Sequence, residues 1–394
     1  MSDIIKEEEI RKKKKEIAEN YPALMTKDLF SMLTERELDK LIVGEIESRK
    51  VILLCAMGCL VQNAAISSYN LLVNDVAGAG KDYITNATLK LMPEHRYLKR
   101  TRISPTVFTY WHNSKYEPNW TWDGKVLYLE DVANTILNSS VFKVMCSSGS
   151  HATIVKDQRA IDIKIVGKPV MIITSATATP NPELTRRFTI LNLDSGENQT
   201  KAIIKRHLEF AEKGVSPELD GNILESLQQL TQIKVKVPFA SKLFEFFPVH
   251  NVIMRTHILR FIDYIKASCA LYQWQREIDE EGYYIATEQD YQIAKGALVK
   301  TTSNEYMIPL TKDQRRIMEV FEKNKDLWYT IPELESKVTW MSERWLRKTM
   351  DKLADYGLIV KELQENDLTN RKNMVFAFNQ CSITNVQNLP DKLI

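Results

Sequence analysis

One segment constrains this chain more than any other: Leu71-Leu72-Val73-Asn74-Asp75-Val76-Ala77-Gly78-Ala79-Gly80-Lys81-Asp82. A short apolar run reads as a strand, a Gly-rich turn comes next, and a helical pattern runs on through Leu91. That order builds a phosphate cradle. Glycines admit backbone N–H groups to an anion, the helix N-terminus adds positive potential, and a lysine reaches the outer phosphates. The pattern departs from G-x-x-x-x-G-K-[ST] at both ends, with Asp75 at the first glycine and Asp82 at the final hydroxyl. A G-x-G-K alone also arises by chance, so the reading turns on the residues downstream of Asp82.

The other parts of an NTPase are present there. The apolar run Val126-Leu127-Tyr128-Leu129 ends in Glu130-Asp131. Two acids at a strand tip hold Mg²⁺ and polarise an attacking water, although the usual order is Asp then Glu. The plain alternative is a strand leaving the core at two solvated acids. A third run, Val170–Ile173, ends in Thr174-Ser175-Ala176-Thr177, small polar groups suited to a γ-phosphate or its water. Arg186-Arg187-Phe188 then precede the apolar run Thr189–Leu193. Such arginines form surface ion pairs or, in a ring, reach into a neighbour's site. Between the acids and the third run, residues 152–168 alternate about a polar centre, Lys156-Asp157-Gln158-Arg159, and read as a hairpin.

This succession, over residues 70–195, resembles the AAA+ ATPases, and in detail the minichromosome maintenance (MCM) helicases and their relatives in plasmids, viruses and integrated elements. The resemblance implies an α/β fold: a P-loop αβα sandwich with a helical lid. It implies ATP and Mg²⁺ as cofactors, a homo-hexameric ring, and DNA unwinding in the replication of a mobile genetic element. Asp75, Gly78, Ala79, Gly80, Lys81 and Asp82 become the nucleotide loop, with Asp82 and Glu130 as Mg²⁺ contacts. Glu130 and Asp131 become the Walker B pair, and Arg187 the arginine finger. Ser175 takes the sensor-1 position, with Thr174 and Thr177 as competitors. By the same resemblance Lys156, with Arg159 beside it, grips single-stranded DNA in the channel; an ordinary surface hairpin is the alternative. Two other readings stay open: an initiator or loader that uses ATP as a switch, and a DNA-binding scaffold without turnover, for which Asp75 and Asp82 speak.

A chain of 394 residues with 44% hydrophobic content is expected to form more than one domain. Its net charge of +2 leaves nucleic-acid binding to local patches. Five scattered cysteines without a C-x-x-C pair fit reduced thiols in a cytoplasmic protein, with neither disulfides nor zinc. The longest apolar stretch, around Val51–Leu60, is too short for a membrane span. Residues 1–44 read as a charged helical segment whose Arg11–Lys15 run is a solvated face. Residues 45–198 are the expected ATPase domain and 199–305 a helical lid. From that lid Arg255, or else Arg260, would reach the phosphates. The aromatics between Phe108 and Trp122 read better as a satellite core than as a stacking platform.

Residues 306–394 read as a winged helix. Helices are expected at Lys312–Lys323, Ile331–Lys337 and Glu343–Tyr356, the last closed by Gly357, and then a hairpin of Leu358–Leu363 and Met374–Phe378. Trp345, Leu346, Met350 and Leu353 would face inward. Arg344, Arg347, Lys348 and Lys352 would face duplex phosphates, helped by Arg371 and Lys372 at the hairpin tip.

Overall fold

Five short segments, four of them largely apolar, form one parallel sheet in the computed structural model of the chain. The structure describes all residues except 1, 105, 113, 150, 157, 177–185, 215, 248–253, 304–310, 356–357, 367–370, 380–388 and 394, and leaves out the side chains of 2–9, 148, 156, 302, 303, 312, 365, 366 and 371. In chain order the strands are β1 (Leu71–Asn74), β2 (Tyr97–Arg100), β3 (Val126–Leu129), the hairpin β4 (His151–Lys156) and β5 (Arg159–Lys164), β6 (Val170–Ser175) and β7 (Thr189–Leu191). Their spatial order is β2-β3-β6-β1-β7, with β4 and β5 paired apart from the sheet.

Parity decides which side chain meets which layer. Leu71, Val73, Val126, Tyr128, Val170 and Ile172 enter one core, with Ile84 and Ala87 of the helix Lys81–Leu89 and most of the helix Ile46–Met57. Leu72, Leu127, Leu129, Met171 and Ile173 enter a second core with Phe142, Met145 and the hairpin's Ile163. Both faces are covered, which is why these strands read as unbroken apolar runs. Phe108 and Trp122 are fully buried in the second core with Trp111 and Trp120 against them, a satellite core as the sequence suggests. Tyr110 and Tyr116 stay exposed.

The N-terminal segment is built into the first core through Ile17, Leu24, Leu29, Phe30 and Leu33. Within the basic run of the helix Ser2–Asn20, Lys13 lies 5.5 Å over the Trp274 ring and Lys14 donates to the Arg276 carbonyl. Arg11, Lys12 and Lys15 are exposed.

Residues 199–305 are not helical throughout. Besides the helices Glu197–Lys213, Gly221–Leu227, Met254–Leu271 and Glu288–Ser303 they contain a short parallel pair, β8 (Val235–Lys236) and β9 (Tyr284–Ile285). Two-residue strands carry no period for a sequence reading to find. A buried ion pair locks the turn before the last of these helices: Arg276 Nη2 sits 2.7 Å from Asp290 Oδ1, with the side chains 5% and 0% exposed. Asp290 also accepts hydrogen bonds from Ser268 Oγ and the Thr287 N–H.

The C-terminal body has a core of its own, including Ile317, Phe321, Leu334, Leu346, Met350, Leu353 and Phe376. Its helices are Lys312–Glu322, Ile331–Lys337 and Glu343–Asp355, and its antiparallel sheet runs β10 (Trp328–Thr330), β12 (Arg371–Phe378), β11 (Ile359–Asn366). Gly357 lies outside the described residues. Thr311 with Gln314, and Thr330 with Glu333, close capping boxes on the first two helices. Trp345 corrects the sequence reading: it is 60% exposed. Leu346, Met350 and Leu353 share one stripe at helical spacing, and Trp345, one residue ahead of Leu346, falls off that stripe onto the Lys348 ammonium 5.1 Å away.

No helix among the described residues is long and apolar enough to cross a membrane. Asp290→Ala would strand the Arg276 guanidinium in the core, so it should cost about 3–5 kcal/mol of stability in urea denaturation. A loss under about 1 kcal/mol, the worth of an exposed pair, would contradict the burial of these two groups.

Candidate nucleotide site

The loop leaves the C-terminal end of β1 beside β6, the crevice position where parallel α/β sheets place ligands. Gly78 and Gly80 have φ of +86° and +84°, the left-handed region in which a side chain is strained. Lys81 opens the helix and is 5% exposed. Among the described residues its ammonium has neither an ion-pair nor a hydrogen-bond partner. A lysine at a helix N-terminus, without such a partner among the described residues, is placed to meet an anion.

The first acid of the loop is engaged within the fold. Asp75 Oδ1 accepts from the Val76 N–H at 2.7 Å and Oδ2 from the Leu193 N–H at 3.0 Å. Asp75 therefore braces the loop against the segment after β7, and a glycine there would lack that tie. Asp82, in the first helical turn, accepts hydrogen bonds from Tyr128 Oη at 3.3 Å and from Thr174 Oγ1. Burial, with Asp82 and Glu130 nearby, pushes the Tyr128 phenol far above its ordinary range, so it keeps its proton and donates.

Thr174 is the hinge of the cluster. Its hydroxyl donates to Asp82 and accepts from the Asp131 N–H at 2.9 Å, joining the loop helix, β3 and β6. Ser175 is on the other face of the strand, donating to the Val132 carbonyl at 2.8 Å. By parity residues 170, 172 and 174 face the loop helix and 175 does not, so Thr174 occupies the place expected for Ser175. Thr177 lies outside the described residues.

Glu130 shares Thr174's side of the sheet. It accepts from Asn86 Nδ2 at 3.0 Å and is ion-paired with Lys99 at 3.1 Å; Lys99 also donates to Asn86 Oδ1 at 2.8 Å. Asp131 is exposed and left-handed, φ +46°, which Asp tolerates better than most residues. Sequence reasoning missed Lys99 because it did not read β2 as a strand; the only signal is the brief alternation Tyr97-Leu98-Lys99-Arg100. No cluster of three or more metal-ligating side chains occurs among the described residues. Mg²⁺ takes one or two carboxylates and fills its shell with water and phosphate oxygens. Asp82 and Glu130, both beside the loop helix, are the carboxylates that would serve it.

A second polar cluster lies at the opposite edge of the sheet. Arg186, Arg187 and Arg260 line a cavity of about 250 Å³ with Ser67, Ser68, Ser147 and Thr256. Arg187 Nε donates to Ser147 Oγ at 2.9 Å, while Arg186 is exposed. Ser68 precedes β1 and Arg187 precedes β7, so the cavity sits at the N-terminal strand ends, roughly 13 Å of strand from the loop at about 3.3 Å per residue. The helix Met254–Leu271 is held at that edge: Tyr69 Oη donates to the Asp263 carbonyl at 2.7 Å, and Tyr264 meets Thr189 at 2.7 Å. The helix expected to bring Arg255, or else Arg260, to the phosphates thus lies at the strand ends away from the loop. Arg255 is exposed at the start of this helix, and Arg260 is the one that joins Arg187.

Arg159 is exposed at the hairpin end, opposite Lys156 in register; the Lys156 side chain is outside the described ones. Arg344, Lys348 and Lys372 are exposed, Arg347 is ion-paired with Glu343 at 2.6 Å, and the Arg371 side chain is not described.

Thr174→Val should leave Asp82 and the Asp131 N–H each short of a partner, costing about 1–3 kcal/mol in urea denaturation and slowing nucleotide turnover at least about tenfold. Ser175→Ala should change turnover less than about twofold, because its hydroxyl acts away from the acids. The reverse ranking would return the sensor role to Ser175.

Residues 15–233 match the family described as the MTBMA_p00010 P-loop domain, a span holding Lys81, the acid pair, Thr174 and Arg187. None of the curated proteins matches the chain. A matched P-loop domain, together with the parallel α/β sheet, points to nucleotide binding by this region. With more than half of its length inside that match, the chain belongs to the MTBMA_p00010 P-loop domain family.

Proposed function

We propose that the chain is an AAA+ ATPase that drives a DNA helicase or translocase of the MCM-like type, working as a homo-hexameric ring in the replication of a mobile genetic element. The observation that carries this reading is the separation of the two polar clusters. The buried lysine and the acids lie at one edge of the sheet and three arginines at the other. Those arginines are too far from their own loop to serve it, and are useful when a second copy presents its loop to them. Repeated edge to edge, that contact generates a ring.

In this mechanism Lys81 and the loop N–H groups hold the β- and γ-phosphates; Asp82 and Glu130 would hold Mg²⁺, which would neutralise phosphate charge. Glu130 or Asp131 orients the attacking water, and Thr174 ties the Asp82 carboxylate and the Asp131 backbone to β6. Arg187, with Arg260 beside it, stabilises charge in the neighbouring copy's site, an effect worth roughly 10³–10⁵ in rate where such a finger is known. The basic hairpin, which leads into β6, moves with that strand against single-stranded DNA. The C-terminal body, with its three helices and hairpin, acts as a winged helix on duplex phosphates through Arg344, Arg347 and Lys348. A second reading, an ATP-switched initiator or loader, draws support from the Lys99–Glu130 pair: while Lys99 holds Glu130, that carboxylate is not available to water.

Two variants separate these readings. Lys81→Ala should weaken nucleotide binding at least about a hundredfold in a fluorescent-nucleotide titration while the chain stays folded; unchanged affinity would remove the nucleotide assignment. A Lys156→Ala, Arg159→Ala double variant should keep basal ATPase and lose unwinding of a forked substrate. Normal unwinding by that variant would dismiss the hairpin as the motor element, and an inactive wild type would favour the loader.

A further inference from the structure

After the C-terminal body the chain returns to the main core. Leu389 and Leu393 are buried, 2% and 8% exposed, in the same core as Leu243, Tyr291 and Ala294. Between them the segment belongs to neither helix nor strand, and side chains read its backbone. Tyr291 Oη donates to the Pro390 carbonyl at 2.7 Å, Gln292 Nε2 to the Asp391 carbonyl, and Lys242 Nζ to the Leu393 carbonyl at 3.1 Å. The Glu288 carboxylate accepts from the Leu393 N–H at 3.2 Å, and Lys295 Nζ pairs with Asp391 Oδ1 at 2.7 Å. Asp391 thus lies beside Gln292 and Lys295, and Leu393 beside Glu288, so the segment runs antiparallel to the helix Glu288–Ser303. The C-terminal body therefore departs from the far end of the helix along which its return strand lies.

We propose that Leu389-Pro390-Asp391-Lys392-Leu393 is a docking peptide, that its groove is formed by residues 240–245 and 288–295, and that it acts as a latch on the C-terminal body. Docked, the latch holds that body by both ends; released, it leaves a single tether at Ser303. The occupant is this chain's own segment: two leucines fill the groove, and the backbone in between is matched by a tyrosine, a glutamine, a lysine and a glutamate. The gain from two buried leucines and a few hydrogen bonds is similar in size to the cost of ordering five residues. Docking is thus marginal, and opening needs no unfolding of the core beneath. The latch stands independently of the nucleotide and DNA readings.

Amide hydrogen exchange on the intact chain tests it first. The Leu393 N–H should exchange at least about a hundredfold faster than the amides of Tyr291 and Ala294, because the latch opens locally. Equal protection would make the segment a fixed part of the core and overturn the proposal. The second test uses a chain ending at residue 388 and a labelled peptide of residues 386–394. The shortened chain should stay folded and bind the peptide, and should bind its Leu389→Ala, Leu393→Ala form at least about tenfold more weakly; the intact chain, its groove filled, should bind the peptide at least about tenfold more weakly than the shortened chain. Failure of the shortened chain to fold, or equal binding of the two peptides, would each overturn the latch.

Discussion

The structure depends on one largely buried lysine at the start of a helix. Lys81 is held inside the crevice at the strand ends, with no carboxylate partner among the described residues. A cation in that position, beside the helix N-terminus, attracts an anion. The surrounding chain is arranged to receive one: two left-handed glycines turn the loop, Asp75 braces it against the segment after β7, and Asp82 and Glu130 are held by Tyr128, Thr174, Asn86 and Lys99.

From that point the parallel sheet divides the labour. β6 lies between the loop strand and the acid strand, so one residue at its tip can touch both sides. Thr174 does so, and its hydroxyl couples Asp82 to the Asp131 backbone. Glu130 is restrained separately through Lys99 and Asn86. The arginines, fixed by the starts of β1 and β7, face away from all of this. On the function proposed above, a single chain carries two incomplete halves of one reaction site, and that incompleteness is the physical argument for assembly.

Much of this was legible in the sequence where the signal is local. Strand, Gly-rich turn and helix sit within one contiguous stretch, and the acid-tipped and polar-tipped strands are long apolar runs that only a doubly covered sheet explains. The hairpin was readable from its alternation, although its turn lacks the usual glycine. What escaped depends on register or on very short elements. Ser175 and Thr174 are adjacent and chemically alike, and only the parity of β6 tells which faces the loop helix. Lys99 was invisible because β2 has four residues and begins after a turn. Arg255 was favoured over Arg260 because both lie on one helix, and only the docking of that helix beneath β1 and β7 separates the exposed residue from the one in the cavity. Trp345 reads as part of the apolar face of its helix, but Leu346, Met350 and Leu353 fill the stripe without it.

The central claim is that one copy supplies the loop and another the arginines. The specific rate of ATP hydrolysis, monitored as the chain is diluted while its mass distribution is recorded, tests this most directly. The account predicts activity per chain that falls steeply as assemblies dissociate and nearly vanishes in the monomer. Activity per chain that stays constant down to the monomer would contradict it.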